Sequence, residues 1–211
     1  MDKKRVYCSQ HREAQAFQTR SKILHAAKQL FTANGFERVT INMLAKAAKV
    51  SMPTIYALFK SKCGLLQALI DDTLPVEQFN ALVDASMQEK SAKIRLKLTA
   101  ELSRQIYEAE RELIDILRGA AVVAPEFKEL EVHREKRRYD RQQCYIRKLM
   151  EDKVIAKGLT MQKAHDILWS LTGRDIFRML VIERGWSYDE YEKWLGKILI
   201  DSLLDVDCLK K

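Results

Sequence analysis

The sequence predicts an all-α protein, and three observations support this fold class. Apolar residues recur at three- and four-residue spacing along most of the chain, which is the period of an amphipathic helix. No segment shows the strict alternation of apolar and polar residues that marks a half-buried strand. Among 211 residues only 7 are glycine and 3 are proline. That composition is typical of helices joined by short loops.

Periodicity and turn residues together predict ten helices. Thr40 and Ser51 stand just before helical patterns, where a hydroxyl can accept a hydrogen bond from a free N–H group. Gly35 ends the first helix, and Gly158 and Gly185 mark the last two breaks. The predicted spans are 18–34, 41–48, 52–59, 62–74, 75–88, 91–107, 109–123, 125–154, 161–184 and 189–206. The spans 91–107 and 109–123 can equally form one continuous helix.

The first four helices each present an apolar stripe to a core. Pro53, Pro75 and Pro125 each come at the start of a periodic run, where a first-turn proline is tolerated. The four stripes are Ile23, Leu24, Ala27, Leu30 and Phe31; Leu44, Ala45 and Ala48; Ile55, Leu58 and Phe59; and Leu65, Leu66, Leu69 and Ile70.

Positive charge is confined to the first third of the chain. Residues 1–66 hold 12 Lys and Arg against 3 Asp and Glu, a net charge of +9, whereas the remainder has a net charge of −1. A basic module joined to a neutral body predicts that one end meets nucleic acid or an anionic membrane. We predict a basic arm over 1–17, a basic helical module over 18–74 and a helical body over 75–211. The arm either reaches a DNA minor groove or is a solvated tail.

Several classes of protein are disfavoured by composition. No apolar run approaches the roughly 20 residues needed to cross a bilayer, and the charged start lacks the apolar core of a secretory signal. The four cysteines are scattered and the four histidines show no metal-ligand spacing. We therefore expect a cytoplasmic protein with reduced thiols, no metal, no cofactor and no membrane partner. No nucleophile elbow or phosphate loop points to an enzyme.

Residues 40–62, TINMLAKAAKVSMPTIYALFKSK, contain four lysines and no acidic residue. Two short helices separated by Lys49-Val50-Ser51 make a helix-turn-helix, whose second helix can enter a major groove by its N-terminus. Met52, Pro53 and Thr54 would then face base edges. The four lysines, Lys46, Lys49, Lys60 and Lys62, flank that helix as predicted phosphate ligands.

The segment TRSKILHAAKQLFTANGFERVTINMLAKAAKVSMPTIYALFKSKCGLL resembles the DNA-binding domain of the tetracycline-repressor (TetR) family. Its runs A-x-x-L-F-x-x-x-G-F-x-x-V-T and I-Y-x-x-F-x-x-K-x-x-L-L carry the likeness. HDILWSLTGRDIFRMLVIERGWSYDEYEKWL is similar, more weakly, to the last two helices of many members. The resemblance implies a homodimer that binds palindromic operator DNA, with a C-terminal domain that dimerises and binds a small molecule.

By position, the resemblance places Thr40 and Ser51 at the two helix caps and makes Tyr56 and Lys62 clamps on the DNA backbone. Leu58 and Cys63 depart from the family pattern, where an aromatic or histidine and a glutamate are common. The predicted DNA-binding residues are Thr40, Lys49, Ser51, Met52, Pro53, Thr54, Tyr56, Lys60 and Lys62. A redox role for Cys63 is one alternative, and a packing role is the other.

The long helix 125–154 carries arginines within an apolar stripe of Phe127, Leu130, Arg134, Arg138, Arg141, Tyr145 and Leu149. Either this stripe faces inward, or it is solvated and Val132, Tyr139, Ile146 and Met150 face inward. Inward arginines need partners: acidic residues such as Glu101, Glu108, Glu112 and Asp115, or an anionic, amphipathic effector. The predicted effector site comprises Leu98, Leu102, Ile106, Arg138, Arg141, Tyr145, Trp169 and Phe177.

The last two helices carry broad apolar surfaces, which predict a four-helix interface between two copies. The interface residues are expected to be Leu168, Leu171, Trp194, Leu195, Ile198, Leu199, Ser202 and Leu203. The favoured function is a ligand-released transcriptional repressor. A regulator of the same kind without a small-molecule ligand and a helical adaptor that binds only protein are the alternatives.

Overall fold

The structure, a computed structural model, describes the backbone of residues 3–73 and 76–205 and the side chains of residues 13–73 and 79–205. Pro75, predicted to begin a helix, lies outside the described residues. Eleven α-helices occupy the described ranges: α1 (Lys3–Arg38), α2 (Ile41–Ala48), α3 (Met52–Phe59), α4 (Lys62–Asp71), α5 (Val76–Gln88), α6 (Ala92–Glu110), α7 (Ile114–Val123), α8 (Pro125–Glu151), α9 (Met161–Leu171), α10 (Arg174–Phe177) and α11 (Tyr188–Leu203). The all-α prediction is confirmed.

Two helices differ most from their predicted spans, and most of the others differ by one to three residues at an end. The first helix begins at Lys3, fifteen residues before the predicted start, and Gly35 is a kink within it rather than its end. The predicted helix 161–184 is divided at Thr172 and Gly173 into α9, α10 and a π-helical turn, Arg178–Glu183. A 3-10 turn, Arg111–Leu113, joins α6 directly to α7, so the two predicted spans follow each other without a loop but are not one uninterrupted α-helix. Within the described ranges the extended pairing is an isolated bridge between Ile155 and Leu204.

The described residues form two compact units. The first contains the chain up to Thr73 together with Asp115–Lys128, and the second contains residues 76–114 and 129–205. The sequence analysis assigned Asp115–Lys128 to the C-terminal body, whereas the structure clusters this segment with the N-terminal helices. The backbone of the predicted arm is helical from Lys3, and its side chains before Glu13 lie outside the described residues.

The core of the first unit is built on α1, α2, α3 and α4. The rings of Phe31 and Phe36 lie 5.5 Å apart, and Phe36 lies 6.4 Å from Phe127. Gly64 permits the close approach of α3 and α4, because a β-carbon there would lie 2.0 Å from the carbonyl oxygen of Phe59. The fully buried side chains of this core include Ile23, Phe31, Leu44, Ile55, Leu65 and Leu66.

In the second unit α11 packs against both α6 and α9. Tyr107, Phe177 and Tyr191 form an aromatic cluster, with Phe177 5.7 Å from Tyr107 and 5.1 Å from Tyr191. The Tyr107 hydroxyl donates to the carbonyl of Thr172 at 2.9 Å, which satisfies a carbonyl where α9 ends. The core continues through Leu96, Ala100, Ile146, Leu149, Leu168, Leu195, Leu199 and Leu203.

A buried ionic network joins α6, α8 and α10 in this second unit. Glu110 is only 3% exposed and pairs with Arg134, and it lies 3.7 Å from Arg174. Arg174 also donates to Glu131 at 2.8 Å. Since an unpaired buried charge is strongly destabilising, these carboxylates allow α8 to turn its arginine-bearing stripe inward.

Candidate nucleic-acid interface

The caps predicted for α2 and α3 are formed by hydrogen bonds. The Thr40 hydroxyl accepts from the backbone N–H of Met43 at 3.2 Å, and the Ser51 hydroxyl accepts from the N–H of Thr54 at the same distance. Each cap satisfies one of the free donors in the first turn. Pro53 lies in the first turn of α3, where its missing N–H costs nothing.

A tight turn joins α2 to α3. Lys49 adopts a left-handed conformation, with φ 55° and ψ 45°, and the N–H of Val50 returns to the carbonyl of Ala45 at 3.0 Å. A non-glycine residue in this region is uncommon. The conformation reverses the chain within three residues and turns the Lys49 side chain to solvent.

The outer surface of α3 is the main candidate for contact with bases. Met52 is 45% exposed and Tyr56 50% exposed, and Pro53 is also exposed. Thr54 is half-buried, and its hydroxyl shares a 2.8 Å hydrogen bond with that of Ser51. Leu58 was predicted to lie in the core, but it is 41% exposed. Helical spacing alone failed here because Ile55 and Phe59 already fill the buried side of this short helix.

Three lysines surround this surface with their side chains in solvent: Lys46 on α2, Lys49 in the turn and Lys60 after α3. Residues 40–62 contain no carboxylate that could neutralise them. Their positions favour the predicted role as phosphate ligands.

Lys62 is placed differently from the other three. Its ammonium donates to the carbonyls of Phe36 at 2.8 Å and Val39 at 2.9 Å, and it lies 4.2 Å from the centre of the Phe36 ring. Burial lowers the pKa of Lys62 below its ordinary value, while the nearby Cys63 and Glu37 act in the opposite direction. The ammonium therefore ties the start of α4 to the end of α1, and we remove Lys62 from the proposed phosphate ligands.

Cys63 is buried in the first turn of α4. Burial and the carboxylate of Glu126, which hydrogen-bonds the thiol, raise the pKa of Cys63 to about 11. A thiolate is the reactive species, so the protonated thiol at neutral pH supports the packing role over the redox role. Sequence reasoning missed Glu126 because it lies 63 positions away in the chain.

Most of the arginine stripe of α8 faces inward, with partners from its own chain, whereas Leu130 and Arg141 are exposed. Arg138 donates to Glu135 at 2.7 Å and to the carbonyl of Trp169 at 3.0 Å. Arg134 pairs with Glu110, so the neutralising residues differ from the four carboxylates predicted. Arg141 is exposed and stacks on the Phe79 ring at 4.7 Å.

The other residues of the predicted effector site lie at different depths. Leu102, Tyr145 and Phe177 are buried, Leu98 and Ile106 are half-buried, and Trp169 is 36% exposed. Phe177 belongs to the aromatic core and lines no surface. The structure thus gathers Arg141 and Tyr145 on one side of α8, next to α5.

Half of the predicted dimer residues lie inside the protomer core. Leu168, Leu195, Leu199 and Leu203 are 0% exposed, because they pack between α6, α9 and α11. Leu171, Trp194, Ile198 and Ser202 are half-buried and are therefore the residues from this set that remain available to a partner.

Comparison with known proteins bears on the first unit most directly. Residues 23–69 match the family model described as bacterial regulatory proteins, tetR family. This match lies within the first unit. A curated relative, the HTH-type transcriptional regulator UidR of Escherichia coli (strain K12), is 38% identical over 58 residues, which are 28% of this chain and 30% of UidR. The match thus spans less than a third of that relative.

Solved structures of similar fold extend over both units of this chain. NalD, the secondary repressor of the MexAB-OprM multidrug efflux pump in Pseudomonas aeruginosa, has a TM-score of 0.73 at 20% identity, over 90% of this chain and 98% of NalD. FadR from Bacillus subtilis, solved in complex with stearoyl-CoA, has a TM-score of 0.69 at 16% identity, over 85% of this chain and 97% of FadR. At such identities the likeness concerns the fold. Among the described residues no helix is both long enough and apolar enough to cross a membrane.

The contacts of Lys62 generate a test with Lys60 as the matched control. Replacing Lys62 with methionine keeps the aliphatic chain but removes the ammonium, so the free energy of unfolding should fall by about 1.5–3 kcal/mol, the usual worth of a charged hydrogen bond. Lys60→Met should leave stability within about 0.5 kcal/mol. Urea unfolding measures the stability of both variants.

The same two variants should differ in DNA binding. The slope of log affinity against log salt should become shallower by about 0.9 for Lys60→Met alone. The opposite pattern would return Lys62 to the phosphate ligands.

Proposed function

We propose that this chain is a cytoplasmic transcriptional repressor that binds palindromic operator DNA as a homodimer and releases it when a small molecule binds the second unit. The observation that carries the proposal is the exposed surface of α3, surrounded by Lys46, Lys49 and Lys60 with no carboxylate in residues 40–62. A helix N-terminus and nearby cations are the features that hold DNA phosphates. A helical adaptor that binds only protein has no use for this concentration of charge.

Binding to DNA should depend steeply on salt. If each subunit of a dimer places three lysines on phosphates, six contacts give a slope of log K against log salt of about −5. Affinity should then fall about a thousand-fold between 50 and 200 mM salt. Fluorescence anisotropy with a duplex selected from a random library measures this slope.

The matched control separates local charge from net charge. Replacing Lys46, Lys49 and Lys60 together with alanine should abolish most of the slope. The same change at Lys93, Lys163 and Lys193, which are exposed lysines of the second unit, should leave it intact. Equal losses in the two triple variants would contradict the docking of α3, and no binding at 50 mM salt would favour the adaptor.

The proposed dimer uses the outer sides of α9 and α11. Trp194, Ile198 and Ser202 follow one another along α11 at helical spacing and remain half-buried in the isolated chain. Leu171 gives α9 a similar half-buried apolar position. Two helices that keep apolar area in solvent can bury it against a symmetry mate, which makes a self-complementary interface.

A charge introduced at the centre of this surface should separate the subunits. Ile198→Glu places a carboxylate at a position that would be buried twice in the dimer, so the mass measured by light scattering should halve. Lys193→Glu changes an exposed residue of the same helix and should leave a dimer. A wild-type mass equal to that of Ile198→Glu would place any interface elsewhere.

The proposed effector site lies around Arg141 and Tyr145 on α8. Arg141 is exposed, but partial loss of hydration lowers its pKa, as do the charges of Arg137, Arg134 and Arg138. In the part of the chain that the structure describes, Arg141 contacts a ring rather than a carboxylate. An anionic group would relieve this positive field. The apolar part of the effector would lie along the half-buried Leu98 and Ile106 of α6, and the stearoyl-CoA bound by FadR is an anion with an apolar chain.

A thermal-shift screen tests the effector and its charge. Long-chain or aromatic carboxylates at a hundred-fold excess over Kd should raise Tm by about 5–10 °C. Arg141→Met should lose this shift, and Arg137→Met, a neighbouring exposed arginine, should keep it. Stabilisation by cationic compounds alone, or an equal response in both variants, would refute the site. No response to any compound would favour the regulator without a ligand.

A further inference from the structure

The composition of α3 restricts how it can recognise a base, if the chain binds DNA as proposed above. Its eight residues are MPTIYALF, which include no Arg, Lys, Asn, Gln, Asp or Glu. The polar side-chain groups on the helix are therefore two hydroxyls, those of Thr54 and Tyr56. A helix that enters the major groove usually carries at least one of the absent side chains, because they make the paired hydrogen bonds that distinguish bases.

Exposure defines which part of α3 a base would meet. Ile55 and Phe59 are buried. Met52, Pro53, Ala57 and Leu58 are exposed, and we call these four residues the apolar face. Around the helix, Met52, Pro53 and Ala57 lie within about 100° of Tyr56, and Leu58 lies on the far side next to Thr54. The surface that α3 offers to a groove is thus apolar except for the Tyr56 phenol and the half-buried Thr54 hydroxyl.

The remaining polar groups of α3 discriminate little. The Thr54 hydroxyl is half-buried and already shares its hydrogen bond with Ser51 at 2.8 Å, and hydroxyls accept several base edges. Lys49 and Lys60 lie just outside the two ends of the helix, in positions suited to phosphates. Base recognition therefore falls to the apolar face.

The four bases differ in how well their major-groove edges suit an apolar surface. All four bases present donors or acceptors in the major groove, and covering these groups with apolar side chains leaves buried polar groups without partners. Thymine alone presents a methyl group, at C5. Contact with this methyl removes apolar area from water on both sides.

We propose that the chain reads its operator half-site mainly through thymine C5-methyl groups that contact the apolar face. T·A pairs should then lie beneath α3, and no guanine should be required there. This inference rests on the proposed DNA-binding function and names the chemical feature of the DNA that is recognised.

Uracil substitution tests the proposal, because deoxyuridine lacks only the C5-methyl group. A duplex is first selected from a random library with the full-length protein, and each thymine is then replaced in turn. Removing one contacted methyl should weaken binding about fourfold, and removing the symmetric pair about sixteen-fold. Deoxyuridine in the flanking sequence should have no effect.

A variant assigns the effect to the apolar face. We call the fold-loss of affinity on replacing a thymine with deoxyuridine the uracil penalty. Met52→Ala should reduce this penalty at one thymine of the half-site from about fourfold to almost none, and it should leave the penalties at the other thymines unchanged. Met179→Ala is the matched control, since this methionine of the second unit is 40% exposed, and it should leave every penalty unchanged.

The outcomes separate this inference from the proposed function. Suppose that no uracil substitution changes the affinity, while 7-deazaguanine, which lacks the N7 acceptor, lowers it tenfold. Recognition of thymine methyl groups would then be refuted, but DNA binding would not. The inference would also be refuted if uracil substitution weakened binding equally in the wild type, in Met52→Ala and in Leu58→Ala. Failure to enrich any duplex would overturn the DNA-binding function and the inference together.

Discussion

The hydrogen bonds of the Lys62 ammonium to the carbonyls of Phe36 and Val39 determine where α3 can lie. They anchor the start of α4 to the end of α1, and α3 leads directly into α4 through Ser61, which caps α4 by accepting from the N–H of Gly64 at 3.0 Å. The absence of a side chain at Gly64 lets the end of α3 approach within van der Waals contact. The exposed surface of α3 is therefore positioned by contacts on its inner side, made within the first unit.

Cations have two distinct uses in this chain. Some pair within the chain: Lys62 binds carbonyls, Arg20 lies 3.3 Å from Asp72 at the surface, and Arg134 pairs with the buried Glu110. Others, such as Lys46, Lys49 and Lys60, stay in solvent. The net charge of the N-terminal third thus overstates what a polyanion would meet. Position, rather than number, decides which charges can bind a phosphate.

Local patterns made much of the fold predictable. The caps at Thr40 and Ser51, the short turn between α2 and α3 and the apolar periodicity all act between residues close in sequence, so sequence alone located the helix-turn-helix. The role of Lys62 was not predictable, because its carbonyl partners lie 23 and 26 residues away. Glu126 beside Cys63 was hidden for the same reason. Leu195 and Leu199 look like interface residues in sequence, since a core position and a subunit contact share the same apolar pattern, and only packing distinguishes them.

The apolar face of α3 is also relevant to cytosine methylation in DNA. A 5-methylcytosine carries its methyl group at the same ring position as thymine. If the apolar face contacts thymine methyl groups as proposed, it would meet the same methyl in either base. An operator with cytosines beneath α3 would gain an apolar contact when those cytosines are methylated, so the affinity of this protein for one DNA sequence would depend on the methylation state of that sequence.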